Sequence, residues 1–487
     1  MRTKLRTAFL VLCTSSLLMA RSAHAQFEGF VNHGLVGVGR LSASTFDKAG
    51  DGRQDTLGGF SAMTVDPQSL NYAEGRVGGT LYGLPDRGFG DGTTDYHPRL
   101  EVFRFAITPY YGDRPVGQNQ ILFTNTATVL FTYDNGSFFT GFDAGNTNDA
   151  RVPHSALNSI GGGRRSLDPE GLVRLRDGTL WVSDEYGPLL GRFNSYGQLQ
   201  ETILPPEAFL PRQGRFPGKL NFTAGAAPTS GRRNNRGFEG LSITPDGKRL
   251  VAFLQSPLVQ DSGKTNMARN TRLVEFDADV NSPTHGQVLF EYIYPLTLNG
   301  TLEKNSHTPV SEVLALNSTT FLALERDSYG LGAITNGPPI YKRIVLFSTT
   351  GASNIEGSAY DLELGAPGQL SLPAGELPPN LKPVVRKDFV DMLDLPQLAK
   401  FGLDVNAIPD PNTIPEKWEA LAIVPFPEAR NPDDYLLLVG NDNDFKAPVV
   451  YHNGRPVGTN TVSVDLMLLA YRVTLPKIPT RASVRGF

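Results

Sequence analysis

Between Asp168 and Glu185 the chain reads Asp-Pro-Glu-Gly-Leu-Val-Arg-Leu-Arg-Asp-Gly-Thr-Leu-Trp-Val-Ser-Asp-Glu. Apolar, β-favouring residues flank Asp177-Gly178, and an Asp-Gly pair between two such runs is the strongest short-range signal for a β-hairpin. A turn centred on that pair sets Glu170 opposite Glu185 at the open end. Facing carboxylates repel unless a proton, a cation or a base stands between them, so this hairpin marks a candidate site.

The unit recurs. Phe238-Glu239-Gly-Leu leads through Asp246-Gly247 to a return strand ending at Gln255, and Ser311-Glu312-Val-Leu leads through Ser318-Thr319 to Glu325-Arg326-Asp327. The same centring sets Glu312 opposite Glu325. Trp418-Glu419-Ala-Leu opens a fourth copy that returns through Tyr435 to Asn441-Asp442-Asn443-Asp444. A fainter first copy runs from Phe60 to Asp86-Arg87 and lacks the glutamate.

The glutamates of adjacent copies lie about 70 residues apart, with longer gaps of about 110 before Glu170 and after Glu312, a period that suits four-stranded blades of a β-propeller. Dividing the length by that period predicts an all-β fold, a single propeller of six blades, with five or seven as alternatives. The 51 glycines and 36 prolines cluster between short β-rich runs, as all-β folds require. Arg386 to Phe401 carries helical periodicity in Phe389, Val390, Leu393, Leu398 and Phe401 and is expected to be a small helical insertion. Gly136 to Gly163 reads as a long surface loop, and Met467 to Val473 as a strand that closes the ring with N-terminal strands.

Residues 1–25 have the form of a secretory signal peptide: basic Arg2, Lys4 and Arg6, an apolar stretch from Thr7 to Ala20, and Ala23-His24-Ala25 before Gln26. Cys13 follows Leu12, where a lipoprotein signal wants a small residue, and it is the only cysteine. The mature chain, 26–487, is then a single disulfide-free domain, exported to the periplasm or the extracellular space. The formal charge is −4 for the whole chain and falls to about −8 without the signal, which disfavours nucleic acid and anionic membrane surfaces. No second apolar run approaches the ~18 residues that span a bilayer. A soluble monomer is expected.

In a propeller, equivalent positions on the inner strands circle one channel. Glu170, Glu239, Glu312 and Glu419, joined by Glu185, Glu325 and Asp442, are therefore expected to converge on one mouth, where a ring of carboxylates suits a hard cation, Ca²⁺ above all. The competing reading is that these glutamates accept backbone N–H groups from the next blade and fasten the ring. Arg87 and Arg326 each stand beside an acid at a hairpin end and are candidate catalytic residues with Glu185, or structural ion pairs. The Arg232 to Arg236 run is a candidate for steering phosphate, or a plain surface loop. No Gly-x-Ser-x-Gly elbow, His-Glu-x-x-His, cysteine pair, P-loop or dinucleotide fingerprint is present.

Asp-Pro-Glu-Gly-Leu, Leu180 to Pro188, Asn235-Arg-Gly-Phe-Glu-Gly-Leu, Glu325-Arg326-Asp327 and Asn441 to Phe445 together resemble the phytase-like domain, also called esterase-like activity of phytase, across roughly Gly59 to Val473. The resemblance implies an exported propeller protein with phosphoesterase or esterase activity on a small-molecule ester. Three classes follow: a Ca²⁺-dependent phosphoesterase, a propeller lactonase or carboxylesterase of the gluconolactonase type, and a non-catalytic binding propeller at the cell envelope.

Overall fold

The computed structural model describes residues 26–49, 54–90, 92–133, 136–145, 153, 162–223, 227–262, 268–298, 307–335, 337–425, 431–476 and 478. The signal segment with Cys13, and much of the expected loop 136–163, lie outside the described residues. Strands with alternate residues buried on opposite faces build five antiparallel blades among the described residues. Running outward from the axis, blade 1 is Ala62–Val65, Arg76–Leu84, Arg99–Ile107 and Ile121–Leu130. Blade 2 is Pro169–Arg174, Leu180–Asp184, Leu189–Phe193 and Leu199–Ile203. Blade 3 is Phe238–Ile243, Arg249–Leu254, Asn270–Asp277 and Val288–Pro295, and blade 4 is Val310–Ala315, Thr320–Arg326, Lys342–Ser348 and Val385–Asp391. Blade 5 is Trp418–Pro425, Asp434–Asn441 and Leu466–Thr474, completed by Val31–Leu41 from the start of the chain.

That last pairing closes the ring. Leu35 stands opposite Tyr471 and Val38 opposite Leu469, so both chain ends share one sheet and the propeller has no free seam. The expected closing strand is therefore present.

The blade number is five, not six. Dividing the length by a blade period counted excursions as a blade. The surplus chain lies in the connection from blade 1 to blade 2, in 349–384 within blade 4, and in 392–417 before blade 5. The expected helical insertion at 386–401 is likewise smaller. Val385–Asp391 is the outer strand of blade 4, and only Leu395–Ala399 is helical, started by the Asp394 side chain accepting the Gln397 N–H. Its apolar residues still reach the core: Val390, Leu398 and Phe401 are buried between blades 4 and 5.

Packing between blades explains the uninterrupted apolar runs in the second strands. Successive side chains point to opposite sheet faces, and here both faces meet another blade. Leu250, Ala252 and Leu254 pack towards blade 2, whereas Val251 and Phe253 pack towards blade 4. Similar clusters fill the other seams. Among the described residues no helix is long and apolar enough to cross a membrane.

Leu437 is fully buried in the seam between blades 4 and 5. Leu437→Ala is expected to destabilise by about 2–5 kcal/mol, read as a lower urea midpoint with unchanged slope; a midpoint equal to wild type would show that this seam does not carry the fold.

Candidate active site at the channel mouth

The blade-3 hairpin turns as anticipated at Asp246-Gly247, with Ile243 opposite Leu250, whereas the blade-2 turn centres on Asp177 alone, with Leu175 closing on Thr179 and Arg174 opposite Leu180. Gly178 and Gly247 have φ of +87° and +71°, and Asp177 Oδ1 accepts the Thr179 N–H at 2.9 Å. The pairing register differs. Gly171 stands opposite Ser183 and Pro169 opposite Asp184, so Glu170 is the extra residue of a β-bulge. The Glu185 N–H donates to the Asp168 carbonyl at 2.9 Å. Glu170 and Glu185 are therefore not cross-strand partners, yet the bulge turns Glu170 towards the axis, as bulges commonly re-aim a side chain. Carboxylate oxygens of Asp168, Glu170 and Glu185 all lie within 4.8 Å of one another.

The same bulge recurs at the same end of three further blades. It skips Glu239 between Phe238 and Gly240, Glu419 between Trp418 and Ala420, and Ser311 between Val310 and Glu312. Glu170, Glu239 and Glu419 are thus structural equivalents, and Ser311, not Glu312, holds the fourth place. Glu312 faces Leu324 while Val310 faces Glu325, so the expected Glu312–Glu325 pairing does not form. Glu312 Oε1 accepts N–H groups from Leu241 of blade 3 (3.1 Å) and Val313 (2.8 Å), which is the fastening role. Glu325 accepts from Tyr294 (2.6 Å), Thr308 (2.9 Å) and Thr297 N (3.3 Å) and pairs with Arg386 at 3.0 Å. It ties blade 4 to the end of blade 3.

At the mouth itself the carboxyls share one buried space. The Glu170 carboxyl is pushed well above its usual range by burial and then by Glu239, Asp168, Glu185 and Glu419. Glu239 is raised by burial and by Glu185 and Glu419. Burial and Asp168 push Glu185 up to about 8 against the pull of Arg87, Arg232 and Arg236. Buried Glu185 Oε1 and Glu239 Oε2 find no hydrogen-bond partner among the described residues. A buried carboxylate oxygen without a donor is costly, so both oxygens are competent for a ligand.

Cations interleave with these acids. Arg87 binds Asp168 through its backbone N–H and its guanidinium, both at 3.0 Å, and also donates to Asn235. Arg326 pairs with Glu419 and donates to Ser311 Oγ at 3.2 Å. Arg236 donates to Gln255 Oε1 (3.1 Å) and Ser256 Oγ (3.2 Å), and Gln255 in turn donates to Glu239 Oε1. Asp442 is grouped with Asp86 and Asp444, is contacted by Lys417 at 3.3 Å, and meets the ring of glutamates through Glu419. Lys417 and Lys446 each reach Asp444 at 2.5 Å. Against burial, the lysines lower Asp444, while burial still raises Asp86 and takes Asp442 up to about 7. Both groups bring three carboxylate oxygens close enough for a hard cation; the blade-2 trio is the one that shares the mouth with Glu239 and Glu419.

Asp168 and Arg236 belong to the site although pairing arithmetic alone did not assign them to it. Asp168 lies two residues before a bulged glutamate and was visible in the motif only as a neighbour; Arg236, three before another, belongs to the Arg232 to Arg236 run that the sequence offered for steering phosphate. Asp184 was also overlooked. Its carboxylate accepts N–H groups from Asp168, Tyr186 and Gly187 and so shapes the turn that delivers Glu185.

Fold and site together define a five-bladed β-propeller with a buried acidic channel mouth. The family description "Phytase-like: Esterase-like activity of phytase" matches residues 55–445, and the chain belongs to that family. An "Uncharacterized secreted protein" of Arthroderma benhamiae (strain ATCC MYA-4681 / CBS 112371) is 30% identical over 88% of this chain and 90% of its own. Among solved structures, a chain from a Saccharomyces cerevisiae assembly of dbp5, nup159 and gle1 with ip6 and adp aligns over 92% of this chain and 96% of its own at 10% identity and TM-score 0.32. A luciferin-regenerating enzyme aligns over 91% and 97% at 11% identity and TM-score 0.31. Those scores bear on neither fold nor function.

The raised carboxyls make a pH prediction. In cation-free protein the folded state holds protons that the unfolded chain, with carboxyls near 4.3, has released. Stability is then fully present below about pH 4.3 and declines as pH rises towards the folded value of Glu185, about 8. Chelator-treated protein is expected to melt lower at pH 8 than at pH 5.5; the reverse order would show these carboxyls to be ionised without help. Separately, Arg326→Met strands buried Glu419 and is expected to cost about 3–5 kcal/mol, largely recovered in Arg326→Met/Glu419→Gln when both variants are denatured with urea.

Proposed function

We propose that this protein is an exported, divalent-cation-dependent hydrolase of small-molecule phosphoesters, working at the acidic mouth of its channel. The observation that carries the reading is the blade-2 trio Asp168, Glu170 and Glu185, gathered within 4.8 Å with Glu185 Oε1 buried and unbonded. Hard oxygen donors in that arrangement suit Ca²⁺, which takes six to eight oxygen ligands, and Glu239 and Glu419 stand next in the ring. A bound cation would supply neutralisation of phosphate charge and a water of lowered pKa.

The chain's own residues supply the remainder. Glu185, kept protonatable near neutral pH by burial and Asp168, takes the proton of the attacking water. Arg87 fixes Asp168 by a two-point contact and so fixes one wall of the site. Arg236 and Arg326 bring guanidiniums to the mouth from the sides of blades 3 and 4, and a guanidinium is the group best suited to phosphoryl oxygens. Hydrolysis would break the P–O bond, leaving inorganic phosphate and an alcohol. Several converging guanidiniums favour an anionic phosphoester over a neutral lactone or carboxylester. Export is supported by the form of residues 1–25 and by a relative described as secreted.

The test is an assay panel of p-nitrophenyl phosphate, phytate, p-nitrophenyl acetate and a sugar lactone, each with Ca²⁺ and with EDTA. Phosphate release that needs the cation and falls roughly 10²–10⁴-fold in Glu185→Gln is expected. Turnover of only the acetate or lactone would assign the site to the esterase class, and no turnover of any substrate would leave a binding propeller.

A further inference from the structure

Below the acidic mouth, the turn-side half of the same axis holds a pocket of about 170 Å³, partly open to solvent, to which all five blades contribute, through Met63, Leu172, Ile243, Val313 and Leu421 among others. Its walls are chiefly aliphatic. Two ionisable side chains border it, Arg174 and Glu312. Arg174 is engaged elsewhere: it pairs with Asp66 at 3.4 Å and lies over the Tyr82 ring at 4.7 Å.

Glu312 is different. It is 2% exposed, and Oε1 is fixed by the Leu241 and Val313 N–H groups. Oε2 makes no hydrogen bond to another described residue, and no Lys, Arg or His among them forms an ion pair with this carboxylate. Every other glutamate that the inner strands carry has charged neighbours at the mouth. This one stands alone in an apolar chamber.

A chiefly apolar pocket of this size has room for a benzene-sized molecule, and a buried carboxylate is stable only when paired and hydrogen-bonded. Two amides already supply hydrogen bonds, and burial raises the carboxyl well above its usual range, so its ionised form calls for a positive charge delivered from the pocket. We propose that the axial cavity is a binding site for a small organic ammonium ion, a primary amine on an apolar body of about benzene size, with its –NH₃⁺ on Glu312 and its body against the aliphatic walls of the inner strands. The site is independent of the hydrolase reading, since none of its residues reaches the mouth.

The experiment uses the full-length mature chain with benzylamine and its neutral isostere benzyl alcohol, followed by calorimetric titration and thermal shift at pH 7. Benzylamine is expected to bind wild type at least tenfold more tightly than benzyl alcohol. Glu312→Gln keeps the acceptor for both N–H groups and removes the charge, so it is expected to bind both molecules alike. Ala422→Leu, which fills the cavity from blade 5, is expected to bind neither. Equal affinity of wild type for the two molecules, retention of the ammonium preference in Glu312→Gln, or no binding of either probe would each overturn the proposal.

Discussion

Like charges forced onto one axis are the constraint around which this propeller is organised. Five inner strands converge, and whatever stands at their ends must share a space too small for water to screen it. Glu170, Glu239 and Glu419 occupy bulge positions there, and burial raises Glu170 and Glu239. The protein answers with guanidiniums for some members, Arg87 on Asp168 and Arg326 on Glu419. Others it leaves short of partners, as the unbonded oxygens of Glu185 and Glu239 show. What sets these two apart from unbonded carboxylate oxygens elsewhere in the blades is that other buried carboxyls crowd the same mouth.

The frame is rigid because each blade is buried on both faces. Apolar seams hold neighbouring sheets, the N-terminal strand completes the last blade, and glutamates outside the mouth cross-link blades: Glu312 takes N–H groups across the seam from blade 3, and Glu325 gathers the loop after blade 3. Fastening is therefore the role of Glu312 and Glu325, and the carboxyls of the mouth are the ones available to the cation proposed above. One residue of register decides which role each plays.

That single residue also explains how far the chain could be read unaided. The hairpins, their Asp-Gly turns and the propeller class follow from local pattern, because turn chemistry and period-two burial are local properties. A bulge is not. It depends on how strand ends meet the next blade; the blade-2 turn centred on Asp177 shifts the register by one residue and the bulge by another, so symmetric pairing placed Glu170 opposite Glu185, where Asp168 is the true partner of Glu185. In blade 4 the glutamate sits one position later than in its relatives, beside Ser311, and the resemblance of Ser-Glu-Val-Leu to Phe-Glu-Gly-Leu concealed the shift. Blade count failed for a similar reason, since excursion length carries no mark that separates a loop from a blade.

The central claim is that the blade-2 carboxylates form a cation site. Its most direct test is calorimetric titration of Ca²⁺ into chelator-stripped protein, in two buffers of different ionisation heat at pH 7. Because the raised carboxyls carry protons that a metal must displace, the account predicts saturable binding with proton release. It further predicts that both are lost or strongly weakened in Glu170→Gln and in Glu185→Gln, while Glu325→Gln binds as wild type does. Absence of binding, or equal affinity in wild type and the two mouth variants, would contradict it.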